Sequence, residues 1–145
     1  MKAMELTVED RLALHELPGV YGDAIDDRNW EALDRVFTED AVFEVIGLVR
    51  MTGLAEIKRY MDQEGQHPLA HLMTNIHVEA NDTGVRLYSR AIAPVSGKGA
   101  EGAGYTVHFG SYYDEVVKTA RGWRIRNRVF SAKRLHKRIA KVDLQ

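Results

Sequence analysis

The stretch YGDAIDDRNWEALDRVFTEDAVFEV, Tyr21 to Val45, decides the fold. It opens inside an apolar stripe in which Leu14, Leu17, Tyr21 and Ala24 recur at spacings of three and four. That spacing marks one buried face of a helix. Asp26-Asp27-Arg28-Asn29 is a polar joint, and Trp30 to Phe37 reads as a short second helix packing Trp30, Leu33, Val36 and Phe37. Ala41 to Val49 is rich in valine, phenylalanine and isoleucine and reads as the first strand. Within this one stretch the chain passes from helical to extended patterning.

Toward the N-terminus, Thr7-Val8-Glu9-Asp10 has the form of a capping box, a hydroxyl followed three residues later by an acid, and predicts a helix start. Pro18-Gly19 interrupts the apolar stripe, and because proline cannot donate to the helical ladder it predicts a bend or break within a turn of residue 18. Toward the C-terminus, Gly53 to Met61 reads as a third helix with Leu54, Ile57 and Tyr60/Met61 inward. After Pro68 the period becomes two. Ala70, Leu72, Thr74, Ile76, Val78 and Ala80 share one expected face, and Leu69, His71, Met73, Asn75 and His77 the other. Asn81 to Gly84 is a turn, and Val85 to Val95 the returning strand. Ser96 to Gly104 reads as a hairpin loop. Tyr105 to Lys118 and Gly122 to Phe130 form a second long hairpin. Helices first and strands later predict a segregated α+β domain.

A chain of 145 residues fits one domain, 1–145, with 1–6 as an N-terminal extension and 131–145 as a basic C-terminal tail. Apolar residues make up 45% and charged residues 28%, ordinary globular usage. The net charge of −1 gives no field that would favour nucleic acid or an anionic membrane. Lys133, Arg134, Lys137, Arg138 and Lys141 in the tail have no aromatic platform among them, so a solvated helix face is expected there. The chain has no cysteine, which excludes thiolate chemistry and Cys-ligated zinc and fits a reducing compartment. The first residues reach charge too soon for a signal peptide, and no apolar run approaches spanning length. A cytoplasmic location is expected.

The Tyr21–Val45 stretch is followed by Gly53 before a short helix, by AHLMTN (Ala70 to Asn75) and by GWRIRNR (Gly122 to Arg128). In that order the set resembles the SnoaL-like, nuclear transport factor 2-like superfamily. The resemblance implies a cone-shaped α+β barrel, cystatin-like, with three helices packed on a strongly curved mixed sheet and a pocket at its mouth. It is nearest the branch of scytalone dehydratase, bile-acid 7α-dehydratase and hexachlorocyclohexane dehydrochlorinase. That branch carries an aspartate after the first helix and a histidine on a central strand, which fall here on Asp26 and His71. The tyrosine five residues before the aspartate falls on Tyr21. Other branches fit less well. Where ketosteroid isomerases carry a base this chain has Val45, the threonine- and proline-containing signature of polyketide cyclases is absent, and no Arg/Asp constellation of limonene epoxide hydrolases is found.

A neutral imidazole is a competent base near pH 7, and a carboxylate on its far nitrogen fixes the tautomer and stabilises the imidazolium that forms. His71 is thus the expected base, Asp26 its orienter and Tyr21 a neutral hydrogen-bond donor. Tyr21, Trp30, Phe43 and Met73 would form a low-dielectric wall, with His108 and Asn127 as further ligand contacts. No metal or cofactor is expected. The reaction class is dehydration-like elimination or a proton shift in a hydrophobic, cyclic small molecule. The alternative is a non-catalytic ligand-binding or partner-binding module of the same fold.

Plainer roles stand beside these. Asp26 can cap the second helix, His71 can be a satisfied structural histidine, and Tyr21 can be core. Asn127 shares an expected face with Trp123, Ile125 and Val129 and can simply tie two strands. The side of His108 depends on a bulge. The apolar Ala70–Val78 face predicts a homodimer through the outer side of the sheet.

Overall fold

The capping box forms. In the computed structural model, which describes residues 4–96 and 105–133, Thr7 Oγ1 accepts from the Asp10 amide at 3.0 Å and Asp10 returns the bond to the Thr7 amide at 3.1 Å. Asp10 also accepts from Lys118 Nζ at 2.7 Å and Trp123 Nε1 at 2.9 Å, which ties the helix start to the last hairpin. Helix α1 spans Val8–Asp26 without interruption. Of the bend or break expected at Pro18, the break does not occur. A proline inside a helix costs about 3 kcal/mol, and here it sits buried in a face whose neighbours Leu14, Leu17, Tyr21 and Ile25 are themselves core.

Asn29, not Asp26, caps the next element: its side chain accepts from the Ala32 amide, and the element is a 3-10 helix, Trp30–Arg35. The first strand starts earlier than its composition suggests, with β1 at Phe37–Val45 and β2 at Val49–Thr52. Gly47, with φ of +78°, allows the tight turn between them. Helix α2, Leu54–Gln63, buries Leu54, Ile57 and Met61. Strands β3 (Leu72–Asn81), β4 (Gly84–Ser96), β5 (Tyr105–Thr119) and β6 (Gly122–Lys133) complete a six-stranded sheet in the order β2-β1-β6-β5-β4-β3. Among the described strands only the β1–β6 pairing is parallel. Three helical segments on a curved mixed sheet make this a cystatin-like α+β fold. Among the described residues no helix is long and apolar enough to cross a membrane. The hairpin loop at 97–104 and the tail beyond Lys133 lie outside the described residues.

Two inserted residues reverse the expected faces. In β3 the pairing to β4 shifts between Thr74 and His77, and Asn75 there takes a left-handed backbone with φ of +49°. This is a bulge, and asparagine is among the few side chains that tolerate it. The row expected from Ala70 to Val78 is therefore divided. Ile76, Val78 and Ala80 pack on the core with Met73, while Leu72 is exposed on the outer face. In β6, Glu115 pairs with Asn127 but Val116 pairs with Ile125, which leaves Arg126 as the extra residue. Trp123 and Ile125 are inward before it; Arg128 is inward after it, fully buried.

Candidate active site

The last residue of α1 meets the residue just before β3. Asp26 Oδ1 lies 2.7 Å from His71 Nδ1, and Asp26 Oδ2 accepts the His71 backbone N–H at 2.8 Å. One carboxylate thus holds both the ring and the main chain of one residue. Because Asn29 caps the 3-10 helix, Asp26 is left free for this role. A carboxylate can only accept, so the proton sits on Nδ1 and Nε2 carries the lone pair. Burial pushes the His71 pKa below its ordinary 6.5 in spite of Asp26, which works the other way. The imidazole is therefore neutral near pH 7 and poised as an acceptor at Nε2.

The Tyr21 ring stands edge-on to the His71 ring, with centroids 5.8 Å apart, and packs in the same manner against Phe37, Phe43 and Tyr112. Burial raises the pKa of both Tyr21 and Tyr112, so both phenols stay protonated at neutral pH. Behind them lies Arg128, whose guanidinium carbon is 4.2 Å from the centre of each ring. Arg128 is bound in a fork by Asp114, Nε to Oδ1 at 2.8 Å and Nη2 to Oδ2 at 2.9 Å, with both side chains at 0% exposure. Burial alone would weaken the charge on Arg128; Asp114 outweighs it and moves its pKa upward. Among the described residues Nη1 has no hydrogen-bond partner. A permanent cation with an uncommitted donor, set against two π faces, is a strong local field in a dry site.

These groups sit at one side of a cavity of about 540 Å³ lined by His71, Tyr21, Tyr112, Phe43, Phe130 and the aliphatic side chains of Ile25, Val45 and Met61. Residues 64–68, after α2, form part of the lining with polar Glu64, Gln66 and His67. The volume suits a ligand of one or a few rings.

Residues 6–129 match the SnoaL-like domain family. An uncharacterised protein of Mycobacterium tuberculosis, Rv2910c, is 35% identical over 126 residues, 84% of each chain. The chain belongs to the SnoaL-like family. Among solved structures, this SnoaL-like domain is similar to a "putative aromatic ring hydroxylase" of Novosphingobium aromaticivorans. That likeness has 30% identity and a TM-score of 0.73, covering 90% of this chain and 94% of the other. It is also similar to a hexachlorocyclohexane dehydrochlorinase, LinA-type3, of Novosphingobium barchaimii, at 16% identity and a TM-score of 0.70 over 86% and 87% of the two chains. At that identity the second likeness bears on the fold.

Of the residues singled out in the sequence, the SnoaL-like domain brings Asp26, His71, Tyr21 and Phe43 together, and His108 joins them on the cavity wall. No bulge intervenes between β4 and β5 at His108, so it shares a face with Gly110 and Tyr112. Three others lie elsewhere. Trp30 packs on His67 with centroids 5.2 Å apart and donates to Asp62, which supports the rim from outside. Met73 is tucked under α1 against Gly22. Asn127 was expected inward with Trp123 and Ile125; the inserted Arg126 turns it to the outer face, where it donates to Glu115 at 2.9 Å. Sequence reasoning missed Arg128, Asp114 and Tyr112. A signal was present: Tyr112, Asp114 and Val116 alternate on one face of β5, and an acid on an otherwise apolar face requires a cation opposite.

Proposed function

We propose that this SnoaL-like domain is a small lyase or isomerase in which His71, oriented by Asp26, removes a proton from carbon in a hydrophobic cyclic molecule. The observation that carries the reading is the 2.7 Å Asp26–His71 contact on the wall of an apolar cavity. In the elimination, Nε2 takes the proton, the C–H electron pair becomes a C=C bond, and the adjacent C–OH bond breaks. The departing hydroxide collects the proton from His71 and leaves as water. Tyr21 and Tyr112 donate hydrogen bonds to the oxygen that gains charge, and the Arg128 cation behind them favours that charge. In a proton shift, the same groups hold an enolate until His71 returns its proton elsewhere. The aromatic rings of the cavity and the ring substrate in the name of the 30% identical protein both favour a flat cyclic substrate.

The test needs no prior substrate. A panel of cyclic ketones and β-hydroxy ketones is incubated with the protein in D₂O, and loss of the α-proton or of the hydroxyl is followed by NMR. Exchange or elimination by the native protein, absent from His71→Ala, is expected. No turnover across the panel, or turnover undiminished in His71→Ala, would overturn the reading and leave a binding module.

The partner proposed is a second copy of the chain on the outer face of the sheet. Leu72, Ile92 and Phe109 stand in register across β3, β4 and β5, with Leu72 and Phe109 more than half exposed. Farther along the same outer face Arg50 and Arg86 balance Glu44 and Glu115, a mixed-sign pattern that can match itself across a two-fold axis. A homodimer by analytical ultracentrifugation at micromolar concentration, converted to monomer by Phe109→Glu, is expected; a native monomer would sink the pairing.

A further inference from the structure

Gly22 lies one helical turn before Asp26 and faces the same strand. A Cβ built at this position would stand 3.1 Å from His71 Cβ, 3.7 Å from the His71 carbonyl oxygen and 3.7 Å from Met73 Cγ. Contact at 3.1 Å is tighter than side chains ordinarily accept, so one partner must retreat by a few tenths of an ångström. Neither has room to do so without cost to the dyad. The helix is pinned behind Gly22 by Tyr21, Ala24 and Ile25, all buried, and by the Tyr21 ring on Phe37, Phe43 and Tyr112. The strand is pinned by the Leu69 amide on the Pro94 carbonyl and by the Leu72–Ile92 pairing. If either moves, the Asp26 bonds to the His71 ring and main chain lengthen together.

We propose that Gly22 is a positioning residue for the Asp26–His71 dyad, whose missing side chain lets α1 approach the strand closely enough for one carboxylate to grip both the ring and the amide of His71. The inference rests on the proposed role of that dyad. It explains a local conflict: a glycine inside a helix lowers helix stability relative to alanine, and this one is buried in the longest helix of the described fold. Gly19, in the same helix, supplies the control. A Cβ there would meet nothing within 4 Å.

Gly19→Ala and Gly22→Ala therefore make the same chemical change with different expected results. Gly19→Ala should raise the melting temperature and leave the dyad as it is. Gly22→Ala should fold, yet lose the solvent-protected, downfield His71 Nδ1 proton in the NMR spectrum. Its His71 pKa should fall, because the imidazolium loses its carboxylate while remaining buried. Its turnover should drop by roughly tenfold or more, in kcat more than in KM, since even a 1 Å misplacement can cost ~10²-fold. Should Gly22→Ala prove too unstable to study, Gly19→Ala/Gly22→Ala supplies added helix stability and the same readouts. A native-like Nδ1 proton and His71 pKa in Gly22→Ala or in the double variant would overturn the inference. A disturbed dyad with undiminished turnover would uphold the positioning role and instead refute His71 as the base.

Discussion

Two carboxylates meet two nitrogen partners around Tyr21, and the pairs are built for different work. Asp26–His71 is partly reachable, with side-chain exposures of 18% and 7%, and lines a cavity. Asp114–Arg128 is closed off at 0% for both, and neither side chain appears on that cavity's wall. An imidazole changes charge within the physiological range, whereas a guanidinium does not. The first pair can therefore take up and release a proton during turnover. The second does not titrate in that range, and its guanidinium stands against the two phenols that line the cavity. Burial alone does not mark a catalytic group; what distinguishes the pairs is access together with a pKa that can be crossed.

The sharpest way to break the comparison is to alter one carboxylate at a time. Asp26→Asn keeps the shape of the first pair but can stabilise the wrong tautomer and cannot support an imidazolium. A fall in turnover of about 10⁴-fold is expected, with ligand binding retained. In the native protein, kcat/KM should rise with pH through an apparent pKa below 6.5, because burial holds His71 lower than its free value. The sign for stability agrees. The folded pKa is depressed, so the unfolded chain binds more protons between the folded pKa and 6.5. His71's contribution is fully present above 6.5 and is lost as pH falls through its folded value. A stability that rises on acidification across this window would contradict the assignment.

Asp114→Ala should do the reverse: it strikes the fold before the chemistry. Removing one partner strands a fully buried cation, at a cost of about 3–5 kcal/mol by denaturant unfolding. Replacing both members, Asp114→Leu with Arg128→Met, should recover most of that stability, since apolar residues of similar volume commonly substitute for a buried pair. Turnover should not recover with it. Without the cation behind Tyr21 and Tyr112, a loss on the order of 10²–10³-fold is expected, the scale set by removal of a group that stabilises developing oxyanion charge. A double variant with native turnover would reduce Asp114–Arg128 to a structural pair.

The order of helices and strands was legible because each depends on local spacing: Thr7 to Asp10 capped as expected, and the stripes Leu14, Leu17, Tyr21 and Ala24 of α1 and Leu54, Ile57 and Met61 of α2 are buried. Asp26 and His71 stood out through the resemblance, and the structure sets them in contact. Face assignments beyond Asn75 and Arg126 were not legible. Alternation has a period of two, so a single inserted residue inverts every later side chain, and nothing in spacing alone announces the insertion. Trp30 and Met73 were placed on the cavity wall because they are large and apolar. Whether a large side chain faces a cavity or a neighbouring element depends on the angle at which distant segments pack, and local sequence carries little of that. Arg128 combines both difficulties, since the bulge hides its face and its partner lies 14 residues away on another strand.

The smallest effect expected is at Asn127, one residue before Arg128, and it tests the bulge directly. Without Arg126 as an extra residue, Asn127 would point into the core and Arg128 into solvent; with it, Asn127 donates to Glu115 on the outer face. Glu115 also faces Arg86 at 3.4 Å, with side chains roughly 40% exposed, so the carboxylate keeps a partner when Asn127 is removed. A hydrogen bond in that setting contributes about 0.5–1.5 kcal/mol, and the surviving partner places the loss at the low end. Asn127→Ala should thus lower unfolding free energy by ~0.5 kcal/mol and leave kcat/KM unchanged. A drop of tenfold or more in turnover would put Asn127 at the ligand, contrary to the register of β5 and β6. Deleting Arg126 is the complementary test. It should exchange the faces of every residue from Asn127 onward and thereby remove the Arg128 cation from behind Tyr21, so a small effect there would show that the bulge is not what sets the site.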